Sequence, residues 1–277
     1  MFSGGAHGTK TISKPTIAMS ETILFEQIGG VAKITLNRPQ VYNSFNREMA
    51  LALQQCLDIC RDDASVRAIY LTGAGKAFCA GQDLQEVIGE NAPELTTILS
   101  EHYNPVITRL RALEKPVIAA VNGVAAGAGA NIALACDVVV ANASASFIQA
   151  FSKIGLIPDS GGTFFLPRLV GWQRASALMM LGNKVTAAEA EQMGMIYKTI
   201  PNEDFATQSW QLAETLSQMP TKGLAYTKRA LNRSFANDLN AQLALEDELQ
   251  TRAGHTHDYR EGVQAFLEKR RPEFKGE

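Results

Sequence analysis

Residues 157–163 read Ile-Pro-Asp-Ser-Gly-Gly-Thr, one carboxylate set between a proline and two glycines. Proline fixes φ and glycine admits positive φ, so the segment reads as a tight loop. The apolar Ile154, Leu156 and Ile157 precede Asp159, and Phe164, Phe165 and Leu166 follow it. Two roles fit that carboxylate. It can cap the helix that runs on through Phe165, which leaves it ionised and wet, or it can move a proton. A second kind of chemistry lies in two loops built of Ala and Gly, TGAGKAFCAGQDL at 72–84 and NGVAAGAG at 122–129. Such loops can bring backbone N–H groups close to a ligand. Two convergent donors make an oxyanion hole, where losing one costs roughly 3 kcal/mol. Composition alone does not show that the two loops converge.

Other site chemistries find little support. Gly73-Ala-Gly75 follows a strand-like run, but Phe78 stands where a GxGxxG fingerprint needs Gly, and Lys76 is followed by Ala77 instead of Ser or Thr. His7, His102, His255 and His257 form no HExxH, and Cys56, Cys60, Cys79 and Cys136 form no CxxC pair. No metal is expected. Cys56 and Cys60 have helical spacing and read as buried thiols, a usage that suits a reducing, cytoplasmic setting. A net charge of −2 with 19% charged residues gives no bulk electrostatic case for nucleic acid or an anionic membrane. The apolar stretch 117–140 is broken by Asn122, Asn131 and Asp137 and by three glycines, so it is not read as a membrane span.

The elements that must carry these residues follow from periodicity. At 277 residues the chain can bury a large core. Residues 1–20 are rich in Gly, Ser and Thr, carry two Lys and no acid, and read as a disordered extension, with Met19 a candidate natural start. Residues 22–25 and 31–36 alternate like two strands around Gly29-Gly30. A helix after Asn46 places Met49, Leu53, Cys56, Leu57 and Cys60 on one side, and 66–71 is a short buried strand. A helix is expected to start at 83–90, interrupted by Gly89 and Pro93, and another over 94–113 with a reset near Pro105. Then come a strand at 117–121, a loop at 122–129, a helix at 130–136 and a strand at 138–141. Strand, Gly/Ala loop, helix, strand thus occurs twice, around Ala80 and around Ala128. That repetition points to an α/β fold of stacked ββα turns, not a flat doubly wound sheet. Residues 166–181 and 186–193 are helical, and 196–200 is a last strand. Beyond Pro201 the pattern is helical, dividing the chain into a core at 21–201 and a C-terminal layer at 202–277 suited to packing or assembly.

Taken together, Asn37-Arg38-Pro39, Asn43-Ser44-Phe45-Asn46, KAFCAGQDL (76–84), KPVIAAVNGVAAGAGANIALACD (115–137) and IGLIPDSGGT (154–163) resemble the crotonase, or enoyl-CoA hydratase/isomerase, superfamily over residues 21–277. The resemblance implies a spiral of ββα units, a helical C-terminal region that builds homotrimers or hexamers, and an acyl-CoA thioester as ligand, with coenzyme A part of the substrate and no separate cofactor. It places the two oxyanion N–H groups at Ala80 and Ala128. The family commonly has Gly at the second position. By the same motif positions Arg38, Gly81, Gln82, Asp83, Leu84 and Gly127 border the CoA thioester, with Asp83 equally suited to cap a helix. Tyr103 and Phe151 would wall the acyl pocket, or simply pack in the core.

The acids narrow the reaction. Family hydratases carry two glutamates, at positions that here hold Asn131 and Phe151, neither of which can transfer a proton. Asp159 lies where family isomerases and a dehalogenase place a catalytic carboxylate. The stretches AFSKIGLIPDSGGT, HYNP (102–105) and DYREGVQAFLEKR (258–270) are most similar to the 1,2-epoxyphenylacetyl-CoA isomerase subfamily. The resemblance implies that Asp159, with a pKa raised by an apolar pocket, takes the C2 proton and returns one at C4. Another reaction using the same carboxylate, a non-catalytic acyl-CoA binder and a nucleotide-binding module are the other readings.

Overall fold

The computed structural model describes residues 17–90 and 92–277. Strand β1 (Ile17–Ser20) pairs antiparallel with β2 (Ile23–Ile28), Ile17 opposite Phe25. The extension expected through residue 20 is therefore corrected: main-chain bonding makes Ile17–Ser20 the edge of a sheet. The rest of that expectation lies outside the described residues. β2 and β3 (Val31–Leu36) form the hairpin expected around Gly29-Gly30, with Gly29 at φ 57. Helix α1 (Arg47–Asp62) is capped by Asn46, whose Oδ1 accepts from Met49 N at 3.0 Å. It buries Met49, Leu53, Cys56, Leu57 and Cys60, the face its spacing marks out.

From β4 (Ala68–Gly73) onward the chain alternates between two sheets. β4 is followed by β5 (Ala77–Cys79). After α2 (Leu95–Thr97) and α3 (Asn104–Ala112) come β6 (Val117–Val121), β7 (Val124–Ala126) and α4 (Ala128–Leu134). β8 (Val138–Asn142) and β9 (Ser146–Ile148) repeat the pair. The first strand of each pair extends a seven-stranded sheet and the second a four-stranded sheet. Within both sheets the successive pairs run parallel. This is the ββα spiral. Each Gly/Ala loop is a strand-to-strand corner, and fully buried Asn43 ties the first corner by donating to Ala74 O and Ala77 O at 2.9 and 2.8 Å.

Several expected elements differ in detail. Residues 83–90 hold a single 3₁₀ turn, Leu84–Val87, not the start of a longer helix. The pattern over 94–113 is interrupted by a π-helical turn, Ile98–Tyr103, between α2 and α3. The helix expected over 166–181 is two: α5 (Gly162–Val170) and α6 (Trp172–Leu181), split where Gly171 adopts φ 80. Strand β10 (Lys184–Thr186), α7 (Ala187–Gln192) and β11 (Lys198–Ile200) complete the sheets.

Helix α8 (Phe205–Ser217) opens the helical C-terminal region. Phe205, Trp210 and Ala213 pack on Val31, Tyr70, Ile118 and Val140 of the large sheet, and the Tyr70 hydroxyl bonds Ser209 Oγ at 2.9 Å. The helix covers the sheet face that would otherwise meet water, so it is a layer of the core. Beyond it lie α9 (Thr221–Ser234), α10 (Leu239–Gly254) and α11 (His257–Glu268). Buried Lys228 of α9 donates to Asp137 Oδ2 and Leu110 O, both at 2.7 Å, and fastens this region to the core. No described helix is long and apolar enough to cross a membrane.

Candidate active site

The loop before α5 is built around two successive left-handed residues, Ser160 at φ 50 and Gly161 at φ 73. Helix α5 has Gly161 as its N-cap and no side chain capping it. The main-chain oxygen of Asp159, not its carboxylate, accepts Gly162 N at 2.8 Å. The capping role considered for Asp159 is thus taken by its carbonyl. Its carboxylate accepts the Ser160 hydroxyl at 2.9 Å and a backbone bond from its own N–H. Burial pushes the Asp159 carboxyl up to about 6, against the smaller opposing pulls of the Ser160 hydroxyl and its own backbone N–H.

The peptide of Asp159 is held from α4. Asn131 donates through Nδ2 to Asp159 O at 2.9 Å and accepts Gln149 Nε2 on Oδ1 at 2.7 Å. Asn131 is fully buried, and a Cβ on Gly162 would lie 2.3 Å from its Nδ2. Only a glycine lets the loop lie this close to the amide. The ring of buried Phe151 stands beside Gly127, 3.8 Å from where a Cβ there would be. The two positions that would hold hydratase acids are therefore a loop anchor and a buried apolar ring beside Gly127.

The Gly/Ala loops do converge. A Cβ on Gly81 would lie 3.6 Å from Ala128 N, and one on Gly127 would lie 4.0 Å from Gly81 Cα. One expected donor is corrected. The N–H of Ala80 is already bonded to Tyr42 O at 3.0 Å and is not available to a ligand. The free donor is two residues on. Phe45 N bonds Gly81 O at 2.7 Å and Asp83 N bonds Phe45 O at 2.8 Å, a parallel bridge that leaves the Gln82 N–H unused. Among the described residues the N–H groups of Gln82 and Ala128 have no protein acceptor. For Ala128 the reason is local, because the first residue of a helix has no carbonyl one turn back. No residue type signals the freedom of Gln82; the nearest hint is Gly81, whose φ of 94 turns the chain just before it.

The other expected contacts sort differently. Arg38 donates to Asp83 Oδ2 and Ser44 O, both at 2.7 Å, and Asp83 Oδ1 caps the 3₁₀ turn by accepting Gln85 N at 3.0 Å. Both side chains thus pin the loop, and Asp83 takes its capping alternative. Leu84 is exposed. Tyr103 is buried, and its hydroxyl donates to Gln82 Oε1 at 2.7 Å. Among the described residues no three His, Cys, Asp or Glu side chains are grouped to hold a metal.

The fold is a two-sheet ββα spiral with two unpaired backbone N–H groups on adjoining loops and a desolvated carboxylate on the loop anchored to α4. Residues 26–277 match the family model described as enoyl-CoA hydratase/isomerase. The chain belongs to that family. The 1,2-epoxyphenylacetyl-CoA isomerase of Escherichia coli (strain K12) is 49% identical over 261 residues, 93% of this chain and all of that protein. A probable enoyl-CoA hydratase of Rhodobacter capsulatus is 48% identical over 92% of this chain and 98% of its own length. Among solved structures, the enoyl-CoA hydratase from Bacillus anthracis superposes with a TM-score of 0.88 at 36% identity, covering 92% of this chain and 100% of that one. The family's relatives thus carry both isomerase and hydratase names at nearly equal similarity, and the identity of the acids must separate them. Membership makes this chain an acyl-CoA enzyme of the hydratase/isomerase kind.

Proposed function

We propose that this chain is an acyl-CoA isomerase that transfers a proton α to a thioester, with Asp159 as the base. The observation that carries this reading is the pairing of one carboxyl raised to about 6 with Asn131 and Phe151 at the hydratase acid positions. Hydratases of this family are expected to use a pair of acids at these two positions, and neither an amide nor a phenyl ring transfers a proton. The N–H groups of Gln82 and Ala128 polarise the thioester oxygen and stabilise the enolate formed when Asp159 takes the C2 proton. The same carboxylic acid then returns a proton at C4, which shifts a Δ3 double bond to Δ2. With a ring-1,2-epoxide of phenylacetyl-CoA, the enolate electrons instead assist opening of the epoxide-bearing ring to the seven-membered oxepin. The 49% identity to the E. coli enzyme named for that substrate supports this second use. Phe151 then faces an aromatic-derived acyl group. Coenzyme A enters and leaves with the substrate, and no other cofactor takes part.

Homotrimers or hexamers are proposed for assembly. Phe266, Leu267 and Val263 of α11 are exposed by 84, 69 and 44% and would be covered by a second copy.

Incubation with a 3-enoyl-CoA and with epoxyphenylacetyl-CoA in D₂O, followed by NMR, tests the reading. The expected result is 2-enoyl-CoA and oxepin-CoA with deuterium incorporated from solvent. Asp159→Asn should bind acyl-CoA and lose isomerisation and C2 exchange. Near-wild-type turnover by that variant, or 3-hydroxyacyl-CoA as the main product, would overturn the assignment.

A further inference from the structure

The side chain of Gln82 is gripped at both ends. Its Oε1 accepts the Tyr103 hydroxyl at 2.7 Å, and its Nε2 donates to Glu86 Oε2 at 2.8 Å. The other Glu86 oxygen accepts Arg47 N at 2.7 Å, so the carboxylate is itself fixed. A carboxylate only accepts, so the amide has one orientation, with its oxygen towards Tyr103.

Tyr103 reaches Gln82 because of an uncommon piece of backbone. The π-helical turn Ile98–Tyr103 sets it between α2 and α3, and turns of this type are rare and frequent at functional sites. Buried Gln54 of α1 stabilises the turn, with Nε2 donating to Glu101 O at 2.7 Å and His102 O at 3.4 Å. The Tyr103 ring also lies 5.9 Å, centroid to centroid, from Phe45. Phe45 is the residue whose backbone clamps Gly81 and Asp83 on either side of Gln82. Tyr103 therefore bears on Gln82 twice, through the side-chain amide and through the strand that brackets its peptide. Burial pushes the Tyr103 hydroxyl well above its ordinary value, so it remains a donor throughout the neutral range.

We propose that Tyr103 is a positioning residue for the thioester site: its hydroxyl, acting through the Gln82 side chain, sets the tilt of the Gly81–Gln82 peptide that aims the Gln82 N–H at the thioester oxygen. The proposal rests on the reading of Gln82 and Ala128 as oxyanion donors. It differs from the apolar-wall role, in which only the ring matters. A phenylalanine keeps the ring and removes the hydroxyl, and so separates the two.

The test uses cinnamoyl-CoA, a conjugated thioester whose ultraviolet absorption moves to the red and whose carbonyl stretch falls when the oxygen is polarised. Tyr103→Phe is expected to bind it with Kd within about 3-fold of wild type but to lose half or more of the red shift. Its kcat for 3-enoyl-CoA should fall about 10- to 50-fold, less than removal of a whole donor, with KM little changed. Gln82→Met, which cuts the same link at a half-buried position, should give the same spectral loss, and the double variant should lose no more than either single one. The Gln82 variant decides the matter if Tyr103→Phe does not fold. A wild-type red shift and kcat in Tyr103→Phe or in Gln82→Met would overturn the relay while leaving the oxyanion reading standing. Absence of any shift in the wild-type complex would overturn both.

Discussion

The side-chain amide of Asn131 donates to the main-chain oxygen of Asp159 at 2.9 Å, so the residue at a hydratase acid position anchors the loop of the remaining acid. The contact is directional. Gln149 holds the Asn131 oxygen, which leaves the Asn131 N–H₂ group facing the loop.

Asn131 variants should therefore fail in a specific way. Asn131→Ala leaves Gln149 Nε2 without its acceptor and frees the Asp159 peptide, and should cost about 1–3 kcal/mol in chemical denaturation. Asn131→Glu should gain no hydratase activity, because an ionised carboxylate cannot donate to Asp159 O. Formation of 3-hydroxyacyl-CoA, followed by mass, would be the contrary result.

The pH dependence of rate follows from the state Asp159 needs. As a base it must be ionised in the free enzyme, so kcat/KM should rise with pH through about 6 and then level off. The measurement is a kcat/KM profile on a 3-enoyl-CoA between pH 4.5 and 8.

Stability should run in the opposite sense. The folded protein holds the Asp159 proton more tightly than the unfolded chain does, since burial lifts this carboxyl from 3.8 to about 6. The contribution of that carboxyl is fully favourable below pH 3.8 and is lost as pH rises through 6. At pH 7.5 Asp159→Asn, which carries no charge to bury, should thus be more stable than wild type by about 1–3 kcal/mol, and the advantage should shrink by pH 4.5. Urea unfolding at the two pH values checks the sign.

Ala128→Pro removes the second oxyanion N–H at the first position of α4, where a helix tolerates proline. The expected effect is a folded protein whose kcat is lower by about 10²–10³-fold. Unchanged turnover with an intact circular dichroism spectrum would remove Ala128 from the site.

The legibility of this molecule was uneven in a way that tracks the range of the forces. Asn46 before a 3.6-residue apolar period, and the alternation on either side of Gly29-Gly30, are local signals, and α1 and the β2–β3 hairpin follow them. The three-residue strands of the small sheet are too short to show any period, and 122–129 read as loop although it contains β7. Helix α8 reads in the sequence only as part of a C-terminal layer for packing or assembly, because its apolar face says nothing about which surface it covers. Tyr103 looked like core or wall, and its hydroxyl partner lies 21 residues away in the chain.

What the sequence determined by itself was the inventory: one acid in a Pro-Asp-Ser-Gly-Gly turn, two small-residue loops, and an amide and a phenyl ring at the positions where the family resemblance implies hydratase acids. Those are statements about side chains, and side chains are written in the sequence. Which backbone N–H is free is not. Every residue but proline carries the same donor, and the fold decides which of them a carbonyl has already taken. Tyr42 takes that of Ala80, the Phe45 bridge and the start of α4 leave those of Gln82 and Ala128, and only the tertiary structure could separate the three.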